Sequence, residues 1–278
     1  MALAAALAAI ALTACGRSGD TSPGREDGGP AVRPEESPRL PPVPPPAPPE
    51  AKPTRTAPTA AESPPPAGEA EPADPPALGP AFHVPLGDSP WKGASEPLAV
   101  LVEFIDFACP HSARMAPVLD RLVAAHPDDL RVVVKAYPIP GHGKAPEAAA
   151  AAAAAHAQGR FWELHDRLFA NPAEWTTEDL ERLASEAGLD LPRFRNALED
   201  RTVQDDVATE VTLGHRLGVT GTPSFALNGR RFEGSTSFRN LERLVTRAIA
   251  EGRAQLETGV PRRDVYEALT AGAPAEVP

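Results

Sequence analysis

The sequence predicts an α/β fold preceded by a long segment that builds no core. Three observations carry this. Residues 98–137 read as strand, helix and strand; residues 145–217 read as helices alone; residues 223–232 read as a β-hairpin with one helix behind it. A strand–helix–strand unit followed by further helices and a hairpin is the pattern of a sheet covered by helices. The limit of the folded part is equally plain. Every Phe, Trp and Tyr of the 278-residue chain lies at or after Phe82, whereas residues 21–80 hold 20 of its 35 prolines. A stretch without aromatic side chains has little with which to build a core. The folded domain is therefore placed at 81–252, with 253–278 as a C-terminal extension.

The chain opens on an apolar, uncharged run at residues 2–14. Thirteen residues are too few to span a bilayer but suit the apolar region of a signal peptide. The run ends in Leu12-Thr13-Ala14-Cys15-Gly16, which resembles a bacterial lipobox. That resemblance implies a signal peptide over 1–15, lipidation at Cys15 and a membrane surface as a partner. Gly16, where inner-membrane retention usually shows Asp, points to the outer rather than the inner membrane. Residues 16–80 are rich in Pro, Ala, Glu, Ser and Thr and read as an extended, disordered tether.

Leu98 to Asp106 is a near-continuous run of branched and aromatic residues, the mark of a strand buried on both faces. A helix follows from Pro110, a residue suited to a first helical position, with a kink expected at Pro117. Leu130 to Tyr137 alternates as a second strand. Between about 141 and 217 the pattern is helical throughout. It comprises the alanine run 148–155, the stripe Phe161, Leu164, Leu168 and Phe169, two helices led by Leu180 and Leu191, and one from Asp205 to Leu217. Asn228-Gly229 between short apolar runs signals a tight hairpin turn. Phe238 to Ile249 closes the domain, and Tyr266 to Leu269 suits a last short helix.

Composition excludes several functions. A net charge of −11 argues against a nucleic-acid binder, which needs a basic face. Two cysteines preclude a disulfide framework. His83, His126, His142, His156, His165 and His215 lack metal-ligand spacing and read as solvated or capping residues, so no metal and no cofactor is expected.

The chemistry concentrates in two short segments. Cys109-Pro110-His111-Ser112 falls where the first strand gives way to a helix. A sulfur there faces unpaired backbone N–H groups and the positive end of the helix dipole, which favour the nucleophilic thiolate. His111 offers a positive neighbour, and Ser112 a hydroxyl able to donate to the sulfur. The second segment, Gly221-Thr222-Pro223, opens a strand on a proline and is a candidate cis peptide. Proline has no N–H to occupy the approaching sulfur, and the residue before it keeps backbone groups for an extended substrate.

Together these segments resemble the DsbA-like proteins of the bacterial envelope. Glu103 to His111 is similar to that family's active-site strand and helix start, Phe161-Trp162-Glu163-Leu164-His165-Asp166 to its inserted helical domain, and Gly221 to Phe225 to its cis-proline loop. The resemblance implies a thioredoxin-like fold: a mixed central sheet flanked by helices, with an inserted helical domain. It also implies thiol–disulfide exchange on cysteine-containing envelope proteins or small thiols, with Cys109, Pro110, His111, Ser112 and Glu103 catalytic and Gly221, Thr222 and Pro223 on the substrate. Glu103, six residues before the cysteine, is expected to assist proton transfer. The family's second cysteine is Ser112 here, so no disulfide can be stored within the domain. A single nucleophilic thiol suits isomerisation or reduction better than net oxidation. The alternative is a catalytically degenerate peptide-binding or chaperone module.

Overall fold

The computed structural model describes residues 76–172 and 175–276. The signal segment, Cys15 and the tether up to residue 75 lie outside the described residues.

The described residues form a five-stranded mixed sheet of order β1-β3-β2-β4-β5, with β1 at Trp91–Gly93, β2 at Ala99–Ile105, β3 at Leu130–Ala136, β4 at Ser224–Leu227 and β5 at Arg230–Glu233. Strands β2 and β3 pair in parallel, joined by α1 at Pro110–Ala125; the other pairings are antiparallel. All seven residues of β2 are buried, as the apolar run predicts. Its alternation sorts two cores. Leu101 meets Met115, Leu119 and Leu122 of α1 and Leu241 and Val245 of α7, which spans Phe238–Glu257. Val100, Val102 and Phe104 meet Tyr137, Leu217, Val219 and Tyr266 on the opposite face. Helix α1 continues through Pro117, which removes one intrahelical donor without ending the helix.

The helical stretch resolves into α2 at Ala145–His156, α3 at Phe161–Ala170, α4 at Thr177–Glu186, α5 at Leu191–Glu199 and α6 at Arg201–Arg216. A third core of alanines from α2 with Phe161, Leu164, Leu168, Leu183 and Phe194 holds them, and Ile105 and Phe107 join it from the end of β2. One expectation fails here. His165 is neither solvated nor an end cap: it is 2 % exposed, with Phe107, Phe161, Trp162 and Phe169 around its ring. Burial holds its pKa down.

Three other features differ from the reading of the sequence. β1 was not foreseen, because three residues cannot show a period. Helix α6 starts four residues before Asp205, because the Asp200 side chain caps it by accepting from the Thr202 amide. Helix α7 runs past Gly252 to Glu257, and α8 at Val265–Thr270 buries Val265 and Tyr266. The Tyr266 hydroxyl donates to the Val84 carbonyl at 2.7 Å, so residues beyond 252 complete the core. At the other end, Gly79 N donates to Arg231 O, fastening the entering chain along β5.

Gly252 shows why α7 packs so closely. A Cβ there would lie 2.4 Å from the backbone oxygen of Leu98. Alanine in place of glycine favours a helix by about 1 kcal/mol, but overpacking costs about 1–3 kcal/mol. Gly252→Ala is expected to lower the urea-unfolding free energy; a stabilised variant would show that α7 does not approach Leu98 this closely.

Candidate active site

Four helices, α4 to α7, carry a side-chain oxygen at the N-cap: Thr176, Asp190, Asp200 and Ser237. Helix α1 instead has Cys109 there, with extended backbone and Pro110 behind it. The sulfur thus sits at the positive end of α1, as the motif predicts. Its partner comes from the other segment. Thr222-Pro223 is a cis peptide, and Cys109 Sγ donates to the Thr222 carbonyl at 3.2 Å. Sheet register brings the two together. Phe104 of β2 pairs with Ser224 of β4, so the residues just before β4 meet the residues just after β2.

The sulfur is not open to solvent, as its expected reactivity would suggest: Cys109 is only 4 % exposed. Pro110 and His111 beside it are exposed, and a Cβ on Gly221 would meet nothing within 4 Å. The Thr222 amide donates to no described residue, and Thr222 Oγ1 is buried without a partner. The cis-proline loop therefore keeps an unused donor and an open outer side, which is the geometry expected for an extended substrate.

Two expected contacts are absent. Ser112 Oγ does not donate to the sulfur; the side chain is 1 % exposed and accepts from the Asp106 amide at 3.5 Å. His111 makes no hydrogen bond to the sulfur either. Its Nδ1 lies 2.5 Å from Arg114 and 3.3 Å from Ser235 Oγ across the loop.

Glu103 is more deeply placed than a strand-end acid. It is 2 % exposed, its register neighbours are Val134 and Phe225, and its Oε1 has no partner. Burial pushes its carboxyl up to about 8, with Lys92 drawing slightly the other way. At neutral pH the group is a buried, mostly protonated acid on the α1 side of β2.

The residue missed by sequence reasoning is Asp106. It is 1 % exposed and takes the Ala108 amide at 2.7 Å on one oxygen, and the Ile139 amide at 2.9 Å and His142 Nδ1 at 2.7 Å on the other. Its carbonyl accepts the Cys109 amide. One carboxylate thus ties the cysteine loop to the loop after β3. An Asp directly after a buried strand and just before the turn at Phe107-Ala108 was the signal available. Among the described residues no three His, Cys, Asp or Glu side chains converge on a metal position. A separate cavity of about 420 Å3 lies among α2, α6 and the end of β3, lined by alanines with Lys135 and Glu210 at its wall.

Comparison with known proteins agrees with this geometry. The family model described as thioredoxin matches residues 86–247. A thioredoxin-like oxidoreductase from Silicibacter pomeroyi DSS-3 superposes with a TM-score of 0.54 at 31 % identity, over 58 % of this chain and 92 % of that one. A periplasmic thioredoxin-like protein from Salmonella enterica serovar Typhimurium gives 0.52 at 26 % identity, over 59 % and 91 %. Among curated proteins, the Na(+)/H(+) antiporter NhaA 3 of Salinispora tropica is 37 % identical over 169 residues, 60 % of this chain and 26 % of that protein. The chain spans about a quarter of the length of the curated relatives it matches.

Glu103 sets a pH dependence whose sign follows from its burial. Unfolded, the carboxyl titrates near 4.5; folded, near 8. Between these values the folded chain binds the extra proton, so its stability contribution is complete below about pH 4.5 and is lost as pH climbs toward 8. Glu103→Gln is expected to remove this decline, gaining on the order of a few kcal/mol over wild type at pH 8 relative to pH 5. Urea unfolding at both pH values measures it; parallel losses in the two proteins would show that Glu103 ionises freely.

Proposed function

The chain belongs to the thioredoxin family, and we propose that it performs thiol–disulfide exchange through the one sulfur of Cys109. The observation that carries this reading is the sulfur's position: at the N-cap of α1, against the Thr222 carbonyl, beside the cis Pro223. Loss of the Cys109 proton to solvent gives a thiolate. Its attack on a substrate disulfide forms one S–S bond as the old one breaks, and the second substrate sulfur leaves as a thiolate. Ser112 offers no sulfur for release, so the mixed disulfide is resolved by the substrate's own second thiol or by an outside thiol. Those outcomes are isomerisation and reduction. Pro110 closes the helix start, the free Thr222 amide pairs with the substrate chain along the open side of Gly221, and Glu103 holds a proton beneath the site. The action is on cysteine-containing proteins or small thiols of the envelope, periplasm-facing, with the domain tethered through lipidated Cys15. The periplasmic source of a similar structure supports that placement. The antiport named for the curated relatives needs a membrane-spanning body; no helix among the described residues is long and apolar enough to cross a membrane.

The 4 % exposure of Cys109 favours a second reading, in which the loop binds extended peptides without chemistry. The two readings part on a covalent adduct. Wild type incubated with a peptide disulfide, quenched in acid and analysed by mass spectrometry is expected to carry the peptide on Cys109, and Cys109→Ala to carry none. Ser112→Cys is expected to add oxidase activity in a reduced-substrate refolding assay. Equal peptide binding by wild type and Cys109→Ala, with no adduct, would favour the binding module.

A further inference from the structure

The chain is acidic overall, yet the helix that Cys109 caps carries a cation with no carboxylate partner among the described residues. The whole sequence carries −11, and a field of that sign steers cations toward a protein surface. The carboxylates near the sulfur are nevertheless occupied or buried. Asp106 is committed to two amides and His142. Glu233 takes the Thr220 hydroxyl and pairs with Arg231. Glu103 is buried and apolar in its surroundings.

Arg114 lies two residues beyond the Cys109–Ser112 motif. It is exposed, on the second turn of α1, and pairs with no carboxylate among the described residues. Its guanidinium donates instead to His111 Nδ1, which also lies 3.3 Å from Ser235 Oγ just after β5. Helical side chains lean toward the helix N-terminus, which for Arg114 is the end that holds Cys109. A planar five-donor fork with one donor engaged retains donors suited to a carboxylate. The Thr222 amide is unused, and the carbonyl of the same residue already meets the sulfur.

Resting on the exchange reading above, we propose that Arg114 makes the site selective for disulfides bearing a carboxylate close to the reacting sulfur, with the Thr222 amide taking the backbone of the same half. Arg114 steers and holds this group; the bond exchange remains that of Cys109, one S–S bond forming as one breaks and the leaving half departing as a thiolate.

The test measures second-order rates of Cys109 adduct formation by acid quench and mass spectrometry. The probes are glutathione disulfide, which is anionic, cystamine, which is cationic, and hydroxyethyl disulfide, which is neutral and sets the reference. In wild type at low salt, glutathione disulfide is expected to outrun cystamine by roughly five- to tenfold relative to their rates with free cysteine, the ratio shrinking in high salt. Arg114→Gln is expected to bring that ratio to one or below, and Arg114→Lys to keep most of it. A wild-type ratio below one, or a ratio unchanged in Arg114→Gln, overturns the proposal. Failure of all three probes to modify Cys109 would instead overturn the exchange reading on which it rests.

Discussion

The contact between Cys109 Sγ and the Thr222 carbonyl is the point at which the two halves of the domain meet. One partner caps a helix that leaves β2; the other precedes the strand that returns beside β2. The β2–β4 register sets their height along the sheet, and the Asp106 carboxylate fixes the turn from β2 into α1 by accepting three donors in a buried position. Burying a charge this deeply is tolerated only where donors surround it, so the group defines one geometry for the loop and admits few others.

Much of this was readable in advance because the signals were local and redundant. Seven consecutive buried residues in β2 left no doubt about a central strand, and Asn228-Gly229 adopts left-handed backbone at both positions, as the hairpin turn requires. The Cys109 and Pro223 segments stand out in the sequence as separate motifs, and the fold brings them into contact. What escaped depended on packing and hydrogen-bond geometry that residue spacing does not show. Asp106 is one acid at a strand end until the loop of Ile139 and His142 folds back on it. His165 looks like a polar residue on an amphipathic helix, and only the aromatic rings from Phe107 and Phe169 make it a core residue. Ser112 was expected to serve the sulfur, yet its burial aims the hydroxyl at the Asp106 amide.

The covering of the sulfur sharpens the question of chemistry. A reactive thiol needs access as well as ionisation, and Cys109 has little of the first. The sulfur's one hydrogen-bond partner is the Thr222 carbonyl, on a loop where a Cβ added to Gly221 would meet nothing within 4 Å. A thiol can donate to that oxygen and a thiolate cannot, so losing the proton also ends the contact that holds the sulfur inward. Burial and reactivity are compatible if the release is local.

The most direct measurement is therefore the reaction rate of Cys109 with a neutral aromatic disulfide reporter across low urea concentrations. The account predicts modification of the folded protein at a rate that scales with reporter concentration and changes little until the unfolding transition begins. A rate that is negligible in water, saturates with reporter, and rises with urea in step with global unfolding would contradict it, since the sulfur would then be reached only when the domain comes apart.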